Sequence, residues 1–289
     1  KIRELRESGH EGTARAYASS LRSMQRYLGK KDFPFIKLSS RIISDYQGKL
    51  LASGICDNTI GFYLHNIKAL FRKGCREMGL ELPCPFRDIS IKTEKTLKRS
   101  LDPVVIKTLS AIELEKDSPL SLARDIFMFS FYTRGMSFVD IALLKKRHVF
   151  PGEICYRRHK TDQLMRVGIN KEISRILERY KNVPGEYIFP LFPAERDPYA
   201  GYRSAYHRIR YSLGKISRVI GLEFPLRLHA ARHSWATIAK VNGASVHVIG
   251  ECLGHTSEKT TRIYLKELDH SALDAVNNQV ADFILAVDD

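Results

Sequence analysis

The sequence predicts a mainly α fold, with an N-terminal helical bundle followed by a mostly helical second domain that carries a small antiparallel sheet. Three observations carry this reading. Apolar residues recur at helical spacing through most of the chain, a Pro- and Lys-rich stretch interrupts them once, and the segment from Arg147 to Ile169 alternates instead. A length of 289 residues suits two ordinary domains, placed at 1–97 and 98–289.

The first helix of the bundle carries Tyr17, Leu21, Met24 and Leu28, and Gly29 is placed to end it. A second carries Ile42, Ile43, Tyr46, Leu50 and Leu51 and closes near Gly54. A third starts at Asp57-Asn58, shows Ile60, Tyr63, Leu64, Ile67, Leu70 and Phe71, and stops near Gly79, with Lys68, Arg72, Lys73 and Arg76 off its apolar stripe. From Glu81 to Arg99, Pro83 and Pro85 followed by Lys92, Lys95, Lys98 and Arg99 read as an extended basic linker. Asp102 is a good N-cap and Pro103 a good first helical residue for the second domain. Helices are expected over 103–116, 120–133 and 138–146, then a hairpin turning at His159-Lys160-Thr161-Asp162, then helix to the C-terminus. No repeat or low-complexity segment is visible.

The formal net charge is +15, and it is spread along the chain. Residues 1–97 carry 18 basic and 10 acidic side chains, and residues 98–289 carry 29 and 22. Both halves suit contact with a polyanion, although a cationic protein without a charged partner would look similar. No run of about 18 apolar residues argues for a membrane span. The start, Lys1-Ile2-Arg3-Glu4-Leu5, has no apolar signal core. Five scattered cysteines without paired spacing read as reduced thiols, which points to the cytoplasm.

The chemistry concentrates between His229 and Tyr264. His229 and Arg232 are three apart and share a helix face. Gly254 permits a tight turn that presents His255, and Tyr264 follows nine residues later, expected on a short helix. Attack on a phosphodiester needs permanent positive charge on the phosphate oxygens, which guanidinium groups supply in bidentate form. Imidazoles donate hydrogen bonds and shuttle protons near neutral pH. A tyrosine hydroxyl ordinarily ionises near pH 10, so a nucleophilic tyrosine must be activated by neighbours. The leaving 5′ oxygen needs a proton, which a lysine on a hairpin can give. Arg232, His229, His255, Tyr264 and Lys160 supply these parts. Any one of these histidines or tyrosines alone would more often be a core residue; the ordered set singles them out. His233 and Trp235 read as packing or bracing groups. His247, Cys252 and His255 lack the spacing and the fourth ligand of a zinc site. Lys145-Lys146-Arg147-His148 reads equally as a solvated helix end or a phosphate-contacting patch.

This constellation resembles the tyrosine recombinases, or phage integrases. His229-x-x-Arg232-His233 is similar to the family's second box, Leu253-Gly254-His255 to its histidine box, and Tyr264 to its nucleophile. The resemblance covers nearly the whole chain and extends to integrases of Bacteroides mobile elements. It implies a SAM-like core-binding domain over 1–97 and a catalytic domain over 98–289. By the same resemblance Arg232 clamps the scissile phosphate, His229 and His255 bond it or handle protons, and Lys160 is the general acid. It further implies a homo-tetramer on double-stranded DNA, exchanging strands through a Holliday junction with no metal, ATP or other cofactor. Docking between protomers would run through the C-terminal amphipathic segment with Ala272, Val276, Val280, Phe283 and Ile284.

One position departs from the family. Its first box usually reads like Thr-Gly-Leu-Arg-Ile-Ser-Glu-Leu, whereas this chain has Thr133-Arg134-Gly135-Met136-Ser137-Phe138-Val139-Asp140-Ile141, with Ser137 where an arginine is expected. Removal of one preorganised donor at a transition state costs about 3–4 kcal/mol, so a substitute is expected. Arg134, one helical turn before Ser137, is the first candidate and Arg124 the alternative. The expected activity is site-specific recombination through a 3′-phosphotyrosine, in integration, excision or inversion. Relaxation by a type IB topoisomerase-like enzyme and DNA binding by a catalytically impaired relative remain the alternatives.

Overall fold

In the computed structural model the described residues are 1–92, 94, 100–192, 198–255, 257–265 and 280. The chain divides into two compact units, Lys1–Thr96 and Leu97–Asp289.

The first unit is built from α1 (Ile2–Glu7), α2 (Glu11–Leu28), α3 (Ser40–Ala52) and α4 (Asp57–Glu77). Gly29 ends α2 in the left-handed conformation, where a residue without Cβ is least strained. Ser39 caps α3 by accepting from the Ile42 amide. Met24, Ile43, Tyr46, Leu64, Ile67 and Phe71 form the core, and the buried Tyr46 hydroxyl donates to Ser23 Oγ at 2.7 Å. The reading of Glu81 to Arg99 as an extended linker needs correction. Phe86 is buried against Phe71, Ile91 packs close to Gly61, and Asn58 exchanges two hydrogen bonds with the Glu94 backbone. The apolar residues among the basic ones are captured by the bundle core. Residues 95–99 lie outside the described residues.

The second unit is organised around α6 (Pro119–Tyr132), where Ile126, Phe127 and Phe129 are fully buried. Around it pack α5 (Pro103–Ala111), α7 (Phe138–Ala142), α8 (Lys171–Arg179), α9 (Pro198–Val219) and α10 (Leu228–Val241), followed by α11 (Val246–Leu253) and α12 (Glu258–Arg262). Asp102 caps α5 with Pro103 at the first turn, and Ser118 caps α6 with Pro119 following. A three-stranded antiparallel sheet, in the order β1-β2-β3, comprises β1 (Val149–Phe150), β2 (Glu153–Arg157) and β3 (Leu164–Gly168). Ile154 pairs with Val167 and Tyr156 with Met165, and these four inward residues alternate with exposed or part-exposed ones.

Two helices are shorter than the sequence suggests. α5 stops at Ala111, before the charge-rich residues 113–117, and α7 stops at Ala142. After α7, Lys145 bridges to Tyr187 and Lys146 donates its amide to the Glu186 carbonyl, a non-local pairing that competes with helix. The expectation of continuous helix after the hairpin fails for the same reason over Lys181–Phe192. The Lys145 ammonium pairs with Glu186 at 2.9 Å and lies over the Tyr187 ring, and Lys146 Nζ donates to the Val183 carbonyl. Among the described residues, no helix is long and apolar enough to cross a membrane. Ala272, Val276, Phe283 and Ile284 lie outside the described residues; Val280 is helical and exposed.

Candidate active site

Four segments converge. The first is the N-terminal half of α10, which carries His229 and Arg232 one turn apart. Arg232 is 5% exposed, and its guanidinium donates to the backbone carbonyls of Gly135, at 2.8 Å, and Leu253. The second segment is the turn after α6. Arg134 and Gly135 both take positive φ, 59° and 73°. A Cβ on Gly135 would stand 2.5 Å from Arg232 Cγ, so this glycine is required by close approach as well as by backbone conformation.

The third segment is the turn after α11, where Gly254 takes a left-handed cap at φ 62°. It delivers His255, whose Nε2 lies 2.9 Å from Arg232 Nη2 and whose Nδ1 lies 3.0 Å from Thr261 Oγ1. Tyr264 follows just past the C-cap of α12 rather than within that helix. Its ring is surrounded by His229 at 5.3 Å, His233 at 4.8 Å and His255 at 4.9 Å between centroids, with the Arg232 guanidinium 5.3 Å away. His233 is nearly parallel to it, and Trp235, Ile249 and Leu253 belong to the small apolar cluster against which Tyr264 packs.

The fourth segment is the β2–β3 hairpin. Its turn is closed by the Asp162 amide on the Arg158 carbonyl, with Asp162 at φ 54°. Lys160 is exposed in this turn, near enough to contribute to the depressed basicity of His255. Arg158 donates to the Gly254 carbonyl. Its charge also bears on both Arg232 and His255.

The electrostatics follow from burial and like charge. Burial, with Arg158 next, pushes Arg232 down to about 10, so it stays a cation at neutral pH. Burial, followed by Arg232, Arg158 and Lys160, pushes His255 down to about 4. Such a cluster, in which Asp140 only partly offsets the guanidinium charge, is relieved when an anion arrives. Burial, with Asp140 next, pushes the Tyr156 hydroxyl up, although Arg158, Arg232 and Arg134 oppose this.

The structure thus brings together Tyr264, Arg232, His229 and His255, with Lys160 exposed on the hairpin turn near enough for its charge to reach His255. Arg124, the alternative candidate for the missing charge, is held elsewhere. Its Nε bonds Asp125 at 2.7 Å and its Nη1 the Ile112 carbonyl, in a network with Arg179 and Tyr180 that ties α6 to α8. Arg134 sits in the Gly135 turn, with its Nη1 3.5 Å from the Arg166 carbonyl. Ser137 caps α7 and donates to Asp140 Oδ2 at 2.6 Å, while Asp140 Oδ1 accepts the His159 amide at 2.8 Å. Asp140, only 5% exposed, therefore holds the backbone between Arg158 and Lys160.

Sequence reasoning missed Arg158 and Asp140. Asp140 had a usable signal, because it stands where the family's first box has its glutamate, three residues after the arginine position. Arg158 had only adjacency to Lys160, a signal shared with Arg157. Arg157 turns instead to Asp162. Among the described residues no cluster of metal-ligating side chains occurs.

The comparisons agree with this architecture. The description "Phage integrase family" matches residues 100–270 and "Phage integrase SAM-like domain" matches residues 1–86. A tyrosine recombinase XerC of Shewanella oneidensis is 26% identical over 226 residues, covering 75% of this chain and 70% of that protein. A lambda integrase dimer bound to a COC′ core site shares the fold at TM-score 0.67, with 18% identity, 90% of this chain and 91% of that one covered. A lambda integrase tetramer bound to a Holliday junction does so at TM-score 0.64, with 17% identity and coverage of 90% and 74%. With its catalytic-domain match spanning more than half of its length, the chain belongs to the phage integrase family of tyrosine recombinases.

Proposed function

We propose that the second unit cuts and rejoins duplex DNA at specific sites, with Tyr264 as the nucleophile. The Tyr264 hydroxyl passes its proton to a neighbouring imidazole, His229 or His255, as its oxygen attacks the scissile phosphorus. The 3′-phosphotyrosine forms, the bond to the 5′ oxygen breaks, and that oxygen takes its proton from the Lys160 ammonium. The 5′ hydroxyl of a partner strand then attacks the phosphotyrosine and restores the tyrosine. Arg232 and Arg158 hold the non-bridging oxygens and balance the charge that grows on them. His229 and His255 bond the phosphate or handle protons. In this reading Arg158, rather than Arg134 or Arg124, carries the charge absent at Ser137.

The observation that carries the proposal is the Tyr264 ring enclosed by three imidazoles 5.3 Å from the Arg232 guanidinium, with a second guanidinium brought to the same turn by the hairpin. Residues 1–97 act as the core-binding clamp and 98–289 as the catalytic domain. Four protomers assemble on DNA through the C-terminal segment, within the cytoplasm. The test is a nicked suicide substrate whose released fragment diffuses away. A covalent protein–DNA adduct is expected with the wild-type chain and none with Tyr264→Phe; no wild-type adduct would sink the reading. Recombination of paired sites, with siteless plasmid left supercoiled, separates recombination from simple relaxation.

A further inference from the structure

Thr261 takes no part in the scheme above, yet it is fully buried and touches both His255 and the backbone of Tyr264. Its Oγ1 lies 3.0 Å from His255 Nδ1, and its carbonyl accepts the Tyr264 amide at 2.9 Å. A Cβ on Gly250 would meet Thr261 Oγ1 at 2.9 Å, so α11 leaves room for this hydroxyl only because Gly250 lacks a side chain. The Gly250 carbonyl in turn accepts the His255 amide at 2.9 Å. The histidine, its turn and the tyrosine segment therefore close on one threonine.

The hydrogen-bond roles can be read from chemistry. A guanidinium nitrogen only donates. Arg232 Nη2, 2.9 Å from His255 Nε2, therefore requires a lone pair on Nε2. A neutral imidazole accepting at Nε2 carries its proton on Nδ1, and that proton points to Thr261 Oγ1, which accepts it. We propose that Thr261 is a positioning residue that keeps the Nδ1 proton of His255 in place, so that Nε2, beside Arg232, is the only ring atom that gains or loses a proton. The Nδ1–H bond to Thr261 is made by the neutral ring and by the imidazolium alike. Proton exchange is thereby confined to the nitrogen facing the phosphate site, and the ring cannot flip tautomers without losing a buried partner. Because the same threonine receives the Tyr264 amide, the position of the histidine is coupled to that of the nucleophile. This inference rests on the reading of His255 and Tyr264 as parts of a strand-cleavage site.

Two measurements test it. Long-range proton–nitrogen spectra of the full chain labelled at histidine, with the His255 ring assigned by its loss in His255→Gln, should show a protonated Nδ1 and a bare Nε2. In Thr261→Val, where Arg232 still opposes a proton on Nε2 but nothing accepts the one on Nδ1, the Nδ1-protonated fraction should fall, and in Thr261→Ser it should not. On the nicked substrate, Thr261→Val should form the covalent adduct about tenfold more slowly, as one lost hydrogen bond at a reacting group implies, with DNA affinity unchanged and Thr261→Ser close to wild type. A wild-type ring carrying its proton on Nε2 overturns the proposal, even where Thr261→Val fails to fold. Equal slowing in the valine and serine variants also overturns it, because packing alone would then explain the threonine. The spectra need no DNA. A wild-type chain that forms no adduct overturns the recombinase reading and leaves the tautomer assignment standing.

Discussion

Burial, and after it the charge of nearby Arg158, depresses the basicity of Arg232, an arrangement that a bound phosphate would relieve. Replacing Arg158 by Ala should slow adduct formation about 10²–10³-fold, the ~3–4 kcal/mol that one preorganised donor commonly supplies. Arg124→Ala should leave that rate within a few-fold. It should instead lower stability by about 1–3 kcal/mol in urea, because buried Asp125 loses a partner. Comparable slowing in both variants would remove the distinction drawn between the two arginines. His255 gives a pH dependence. Its folded value of about 4 lies below the ordinary 6.5, so between those values an unfolded chain binds a proton that the folded chain refuses. Stability from this group is present above pH 6.5 and is lost as pH falls toward 4. His255→Gln should lose less stability than wild type across that window, measured by urea midpoints; parallel curves would contradict the depression.

At the scale of elements, glycines decide which side chains meet. Gly135→Ala places a methyl within 2.8 Å of both Arg232 Cα and Cβ and forces a non-glycine residue to φ 73°. Left-handed backbone alone costs about 1–2 kcal/mol, and the clash displaces the clamp. A lower melting temperature together with loss of adduct is expected, whereas the same change at solvent-facing Gly152, where a Cβ meets nothing, should cost only backbone strain. Caps were readable in the sequence because they are local: Asp102-Pro103 starts α5 where expected. The ends of α5 and α7 were not, because the end of α7 is set by pairing of Lys145 and Lys146 with residues some 40 positions away. The hairpin was readable from alternation, but which of Arg157, Arg158 and Lys160 would serve the site depended on the turn after α11. Only Arg158 is fixed to Gly254.

At the scale of the molecule, the charge is carried by both units, and in the first it is locally concentrated. Arg22, Arg26, Lys30 and Lys31 line one concavity at the end of α2. Each phosphate contact contributes a slope of about −0.9 to log affinity against log salt. Arg22→Ala with Arg26→Ala should therefore flatten the slope of DNA binding by about 1–2 while leaving adduct chemistry at saturating DNA intact. An unchanged slope would place this patch away from DNA. The sequence by itself determined the two-part, mainly helical organisation, the box order from His229 to Tyr264 and the vacancy at Ser137, because periodicity, caps and motif spacing are properties of neighbours along the chain. Only the tertiary structure decided that Arg158 joins Arg232, that Asp140 pins the hairpin and that Thr261 holds His255. Those contacts join segments roughly 20 to 100 residues apart or depend on which way a turn aims its side chains, and no linear spacing encodes either.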